Sequence, residues 1–328
     1  GRVQRSLAVR LSSVAACLVL GMVLPLHAQH YPTKPVKIIV PTPAGGPVDV
    51  VARLTAQYLS GTIGQSVVVD NRPGAGNTLG SKEAARAEPD GYTLLYSSVS
   101  GLILSPLIQK DPGYDPITSF APIAPVGTGT TILVVHPSFP AKTVQELVAY
   151  AKANPGKVNF SSGGVGVLPH MIGEMFKSRA GIDIVHVPYR GGGPSIQDVV
   201  AGNIQMTFEG TGVLLPLVRA GKLRMLATVS PKRLPEMPDV PTMEEAGYPG
   251  FVSQSWTGLL APANTPQPII STLSTEVRRI QQLPDVKERF AELGIDVLQG
   301  SPQELLAFTR AEIDRFAKII RETGIRAE

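Results

Sequence analysis

The chain has 328 residues, of which 30 are basic and 26 acidic, and it contains a single cysteine. A formal net charge of +4 with 17% charged residues is too small and too evenly mixed to mark a nucleic-acid or polyanion binder. One cysteine excludes a disulfide framework and any thiolate metal cluster within the chain.

Arg2, Arg5 and Arg10 precede an apolar run over residues 11–24 that closes on Pro25-Leu26-His27-Ala28. This is the layout of a secretory signal peptide occupying residues 1–28, with cleavage expected after Ala28. Its 14-residue core is shorter than the roughly 20 residues a membrane-spanning helix needs. Cys17, in Val14-Ala15-Ala16-Cys17, superficially matches a lipoprotein anchor. It follows Arg10 too closely, and the apolar run continues beyond it, so lipid anchoring is not expected. Without this segment 27 bases face 26 acids. The remaining exported chain, expected in the periplasm, is long enough for two domains of ordinary size.

Short β-branched runs alternate with amphipathic stretches, the rhythm of α/β domains with largely parallel sheets. Strands are predicted at 36–40, 66–69 and 92–96, with helices at 48–59 and 78–87 between them. A second series places strands at 131–135, 158–160, 183–187, 205–208 and 224–228. Its helices fall at 143–153, 169–178, 195–201 and 214–220. Thr143 opens Thr-Val-Gln-Glu, a capping box whose hydroxyl and carboxylate can satisfy free amides at the helix start. The last third changes character, with a strand at 256–260 and long amphipathic helices at 269–282 and 302–323.

Three predicted strands run directly into glycine turns that open helices. The first reads Pro41-Thr42-Pro43-Ala44-Gly45-Gly46-Pro47-Val48-Asp49. The second reads Ser161-Ser162-Gly163-Gly164-Val165-Gly166-Val167-Leu168-Pro169-His170, and the third Tyr189-Arg190-Gly191-Gly192-Gly193-Pro194-Ser195. None has the G-x-G-x-x-G spacing of a dinucleotide loop or the Lys-Ser/Thr of a P-loop. Each can present bare amides, reinforced by the positive end of the following helix, to a carboxylate. In open α/β sheets such turns lie beyond the carboxyl ends of the strands, where ligands bind. Glycine also serves tight connections in general, so a single turn would leave binding undecided.

Several longer motifs, in order, carry a resemblance over essentially all of the chain after residue 28. They are Tyr31-Pro32-Thr33-Lys34-Pro35-Val36, Gly45-Gly46-Pro47-Val48-Asp49, Asn71-Arg72-Pro73-Gly74-Ala75-Gly76 and Pro89-Asp90-Gly91-Tyr92-Thr93-Leu94-Leu95. Val185-His186-Val187-Pro188-Tyr189-Arg190-Gly191-Gly192, Val199-Val200-Ala201-Gly202-Asn203-Ile204-Gln205 and Ala220-Gly221-Lys222-Leu223-Arg224 complete the set. The chain resembles the extracytoplasmic solute receptors of tripartite tricarboxylate transporters, the Bug receptors.

The resemblance implies two doubly wound α/β domains with a ligand cleft between them, a type II periplasmic binding protein. Domain 1 would comprise residues 29–126 and 253–328, and domain 2 residues 127–252. Ligand contacts would come from Pro43, Ala44, Gly45, Gly46, Val48 and Asp49 on the first turn. The second turn would add Ser162, Gly163, Gly164, Gly166, Val167 and His170. Arg190, Gly191 and Gly192 would follow from the third, with Glu209 standing where relatives usually have Asp. Relatives commonly carry hydroxyl residues at the positions of Val48 and Val167 and an aromatic at Thr42. The loss of two hydroxyls predicts a less polar ligand than a hydroxylated tricarboxylate, such as an aromatic or aliphatic dicarboxylate.

Individual residues carry plain structural readings as well. Asp49 in a first helical turn suits the helix dipole with or without a ligand. His170 at a helix start is disfavoured as a cation, yet as a neutral donor it can hold a carboxylate or a turn carbonyl. Arg190 can fork onto a carboxylate or stay solvated. His136 and His186 read as structural, and Tyr189 and Trp256 as pocket wall or core.

No G-x-S-x-G turn, H-E-x-x-H helix or clustered metal pattern is present, so an enzyme is not expected and no cofactor or metal is implied. Ser161-Ser162-Gly163-Gly164 is the nearest approach to a hydrolase nucleophile turn. The expected role is a monomeric receptor that passes a small organic acid to a membrane permease. The alternative is a ligand sensor feeding a two-component kinase.

Overall fold

Both faces of β1 (Val36–Val40) are covered, leaving Ile38, Ile39 and Val40 without exposed surface, as expected of an interior parallel strand. The computed structural model describes residues 30–326, so the predicted signal peptide and Cys17 lie outside the described residues. Lys34–Glu328 separates as one unit from the residues before it and contains all the strands and helices of the described residues.

β1 lies between β2 (Val67–Asn71) and β3 (Thr93–Ser98), parallel to both. β9 (Gln254–Pro262) runs antiparallel to β3 and then to β4 (Phe120–Val135). In the second half of the chain β5 (Val158–Ser162) pairs in parallel with β6 (Ile184–Pro188) and β7 (Met206–Gly210). β7 and β8 (Arg224–Thr228) flank the far end of β4.

The 16-residue β4 is therefore shared by two sheets, and its neighbours change abruptly along it. Residues 120–130 pair with β9, and residues 127–129 also with β10 (Ile295–Val297). From Thr131 onward the partners are β7 and β8. At the changeover two backbones nearly touch, since a Cβ on Gly212 would stand 2.0 Å from the Leu293 carbonyl oxygen. Only glycine permits that approach.

Helices α1 (Pro47–Ile63) and α2 (Thr78–Ala85) follow β1 and β2. α1 continues past its expected end to Gly64, whose φ of 74° closes it in the left-handed conformation. The capping box of α4 (Val144–Ala153) forms with a small change. Thr143 Oγ1 accepts from Glu146 N at 3.1 Å, while the Glu146 carboxylate reaches one residue further back to Lys142 N at 2.7 Å. α5 (Leu168–Ala180), α6 (Gly192–Val200) and α7 (Thr211–Arg219) follow β5, β6 and β7 in turn. α8 (Gln267–Gln281), α9 (Pro284–Glu292) and α10 (Pro302–Thr323) complete the chain.

Several elements exceed the sequence reading, the short β10 among them. β4 begins at Phe120 rather than at residue 131, because Pro122 and Pro125 sit beside register shifts where a missing N–H is tolerated. After β3 a π-helical turn (Ser100–Leu104) runs into the short helix α3 (Ser105–Ile108). Its first six residues are all buried, so they show no amphipathic period. α9, enclosing only Val286 and Phe290 in a polar sequence, was likewise not anticipated. Trp256 is core, 2% exposed, packed edge-on to Phe308 with Nε1 donating to Glu312 at 3.3 Å.

Candidate ligand-binding site

The first glycine turn, residues 41–46, joins β1 to α1. Pro43, Ala44 and Gly45 are exposed and Val48 is half-buried. Gly45 has φ of 87°, a conformation glycine adopts without strain. The turn is shaped from below by Asp49, which is 1% exposed. Its Oδ2 accepts from Gly45 N at 2.8 Å and Arg53 Nε at 2.9 Å, and its Oδ1 from Asn71 Nδ2 at 2.8 Å. Asn71 also donates to Thr42 O at 3.0 Å. Burial alone would raise the Asp49 pKa, but the Gly45 amide, Asn71 and Arg53 outweigh it and hold the carboxyl below its ordinary range. Asp49 thus organises the turn from beneath rather than lining it. Gly46 caps α1 with no side-chain bond, and Pro47 follows. The Thr42 hydroxyl is buried without a protein partner, a polar atom the sequence reading treated only as a lost aromatic.

The second and third turns are locked together at the carboxyl ends of β5 and β6. Tyr189 N donates to Ser162 O at 2.9 Å and Gly191 N to Gly163 O at 3.0 Å. The backbones lie so close that a Cβ on Gly163 would meet Gly192 N at 2.9 Å and Gly191 C at 3.0 Å. Beneath them Ser195 Oγ donates to Ser161 Oγ at 2.8 Å. Tyr189 points to Asp198, with which it shares a short hydrogen bond. Arg190 is exposed and has no ion-pair partner among the described residues.

His170, 6% exposed, serves the second turn as Asp49 serves the first. Its Nδ1 accepts from Gly166 N at 3.0 Å, which puts the ring proton on Nε2, facing Glu174 Oε1 at 3.6 Å. His186 stacks on it with centroids 3.7 Å apart and planes 8° from parallel. Burial, with His170 alongside, pushes His186 down to about 3, so it is neutral. This stacked pair was not legible in the sequence, where His186 read only as part of a strand.

His186 Nε2 lies 2.6 Å from Ser162 Oγ, a distance that invites comparison with a catalytic dyad. Ser162 Oγ also stands 2.8 Å from Gly164 O and accepts from Gly164 N at 3.2 Å, so its single proton has two acceptors in reach, Gly164 O and His186 Nε2, and the histidine tautomer sets which one receives it.

Glu209 ends β7 beside the same two turns, with Oε1 3.4 Å from where a Cβ on Gly192 would stand. Val167 caps α5 in extended backbone. Gly164 and Gly166 take φ of 147° and 87°. Ser162, Gly163, Gly164, Gly166, Gly191, Gly192 and Glu209 therefore form one group at three parallel strand ends.

The strand ends of the two sheets meet. Leu168 N donates to Ser100 Oγ at 3.0 Å, and a Cβ on Gly166 would stand 2.4 Å from Ile108 Cδ1. One on Gly76, in the loop after β2, would stand 3.4 Å from Val165 O. Sequence reading missed Ser100, because its segment carries a lone glycine and no charge. No hydrogen bond or ion pair among the described residues joins the first turn directly to the second and third. A separate cavity of about 480 Å³, lined by Lys37, Leu79, Lys82 and Arg86, lies along β1 and α2. None of its lining residues belongs to the three glycine turns.

Strand-end glycine turns, gathered from two sheets that share one strand, are the arrangement on which comparison with known proteins bears. The family model described as tripartite tricarboxylate transporter family receptor matches residues 51–325. The chain belongs to this family. It is 38% identical over 311 residues to Protein BugT of Bordetella pertussis, covering 93% of this chain and 94% of that one. The structure of periplasmic binding protein BugD superposes with a TM-score of 0.84 at 35% identity, covering 91% of this chain and 100% of that one. R. palustris Rpa4515 with adipate gives 0.85 at 33% identity, covering 90% and 99%. The fold is that of a periplasmic binding protein, as expected, and the family consists of periplasmic solute-binding receptors.

Proposed function

We propose that this receptor captures a small dicarboxylate between two closing domains and delivers it to the membrane permease of a tripartite tricarboxylate-type transporter. Domain 1 is taken as residues 29–126 and 253–328, and domain 2 as residues 127–252. The change of partners along β4 near Thr130 and Thr131 supports a hinge close to those limits. One carboxylate is held by amides of the turns around Gly163 and Gly192, and the other end of the ligand by the turn around Ala44 and Gly46.

The observation that carries this reading is the construction of the turns. Asp49 and His170 each hold a glycine turn in shape by accepting from one of its amides, and the remaining amides, among them those of Gly163 and Gly192, are the donors assigned to the ligand. Ligand binding to such a receptor shifts an open and closed equilibrium by its differential affinity for the two states.

Val48 and Val167 supply no hydroxyl for a hydroxylated ligand, which favours an apolar ligand body. A thermal-shift panel tests this. Adipate and terephthalate are expected to raise the melting temperature, and citrate to leave it unchanged at the same concentration. Stabilisation by citrate with none by either diacid overturns the assignment.

A further inference from the structure

Among the described residues the Glu209 carboxylate forms no ion pair. β4 presents Ile132 to it in register, β5 ends beside it in Ser162 and Gly163, α6 offers Gly192, and α7 begins at Thr211. None of these is charged. The titratable groups of the adjoining turns and elements are Tyr189 and Arg190, His186 on β6, His170, Glu174, Lys177 and Arg179 on α5, Asp198 on α6 and Arg219 on α7, and none forms an ion pair with Glu209. A carboxyl group in that position stands beside the glycine amides proposed to hold the ligand. As an anion it would repel a ligand carboxylate, and as a neutral acid it would donate to one.

Resting on the dicarboxylate reading above, we propose that Glu209 binds the ligand as a protonated acid, donating its O–H to a ligand carboxylate oxygen, so that the diacid is taken up together with one proton. The balance is simple. Free receptor with ionised Glu209, one proton and one dianion give the complex, and no covalent bond changes. Burial pushes Glu209 up to about 7, against the lowering influence of the Gly210 N–H, which makes that proton available near neutral pH.

The sign follows from linkage. Above about pH 7 the free receptor must first recover a proton, so affinity falls as pH rises. Without ligand, the raised pKa means the folded state holds more protons than the unfolded one between the ordinary 4.5 and about 7. The stability contributed by Glu209 is therefore present below that window and lost as pH rises through it.

The test is calorimetric titration with adipate at pH 6.5 and 8.5, each in two buffers of different ionisation enthalpy. Wild type is expected to weaken by about 20-fold between the two pH values and to take up close to one proton per adipate at pH 8.5. Glu209→Gln, a neutral donor of similar shape, is expected to bind with little pH dependence and no proton uptake. A melting series on both proteins without ligand provides a second readout, the wild type losing stability relative to Glu209→Gln from pH 5 to 7.5. Adipate binding with no proton uptake by wild type overturns this inference alone, as does proton uptake that persists in Glu209→Gln. Adipate failing to bind wild type at either pH overturns both this inference and the adipate assignment beneath it.

Discussion

Asp49→Ala is expected to destabilise the receptor by about 3 kcal/mol at pH 7, measured by chemical denaturation. The substitution strands three donors at once, the Gly45 amide, the Arg53 guanidinium and the Asn71 amide. Hydrogen bonds to a buried charge are worth about 1.5–3 kcal/mol each and do not add. Arg53 is half exposed, so water recovers much of its share. The pH dependence identifies the cause. Because the folded pKa lies below the ordinary 3.8, the stabilisation is fully present above that value and is lost as pH falls through the folded one. The difference between mutant and wild type should shrink in acid. Ligand affinity should fall as well, since Gly45 loses the bond that aims its turn. Asp49→Asn, which keeps one acceptor, should recover part of both losses.

Gly163→Ala acts on the other group of turns, with its main effect on binding. The added methyl would meet backbone atoms of Gly191 and Gly192, which cannot rotate aside as a side chain would. The turns are expected to part in the free protein, and restoring their spacing on binding should cost about 1–3 kcal/mol. That corresponds to affinity weakened by roughly 5-fold to 150-fold. Gly193→Ala is the matched control. Nothing lies within 4 Å of a Cβ at that position, and calorimetry should find its affinity near that of wild type.

The glycine turns were legible in the sequence because each is local, with strand, glycines and helix contiguous in the chain. The first strand was legible because Val36, Ile38, Ile39 and Val40 are β-branched. The shaping of the turns was not, since it depends on pairs brought together by the sheet. Asp49 and Asn71 are 22 residues apart, and Ser162 and His186 are 24 apart. Both pairs meet only because parallel strands end at the same level.

Prolines and glycines misled the reading of β4. Pro122, Pro125, Gly127 and Gly129 are turn signals in isolation. Here the prolines stand beside register shifts, and the glycines admit close neighbours. A Cβ on Gly127 would stand 2.7 Å from Ile295 Cγ2. The π-helical turn after β3 escaped for a different reason. Its surroundings bury every side, which erases the periodicity that reveals a surface helix.

The sequence reading assigned His170 a ligand carboxylate or a turn carbonyl to hold. The bond it makes is to the Gly166 amide rather than to a carbonyl. Arg190 remains an exposed cation at the rim of the third turn, and its position is compatible with attracting an anion without fixing it.

A crystal structure grown with the diacid that stabilises the receptor most strongly tests the central claim directly. The account predicts one carboxylate within hydrogen-bonding distance of the amides around Gly163 and Gly192, and the opposite end of the ligand against the turn at Ala44 to Gly46. A diacid found instead at the cavity lined by Lys37, Lys82 and Arg86, with the glycine turns untouched, would contradict it.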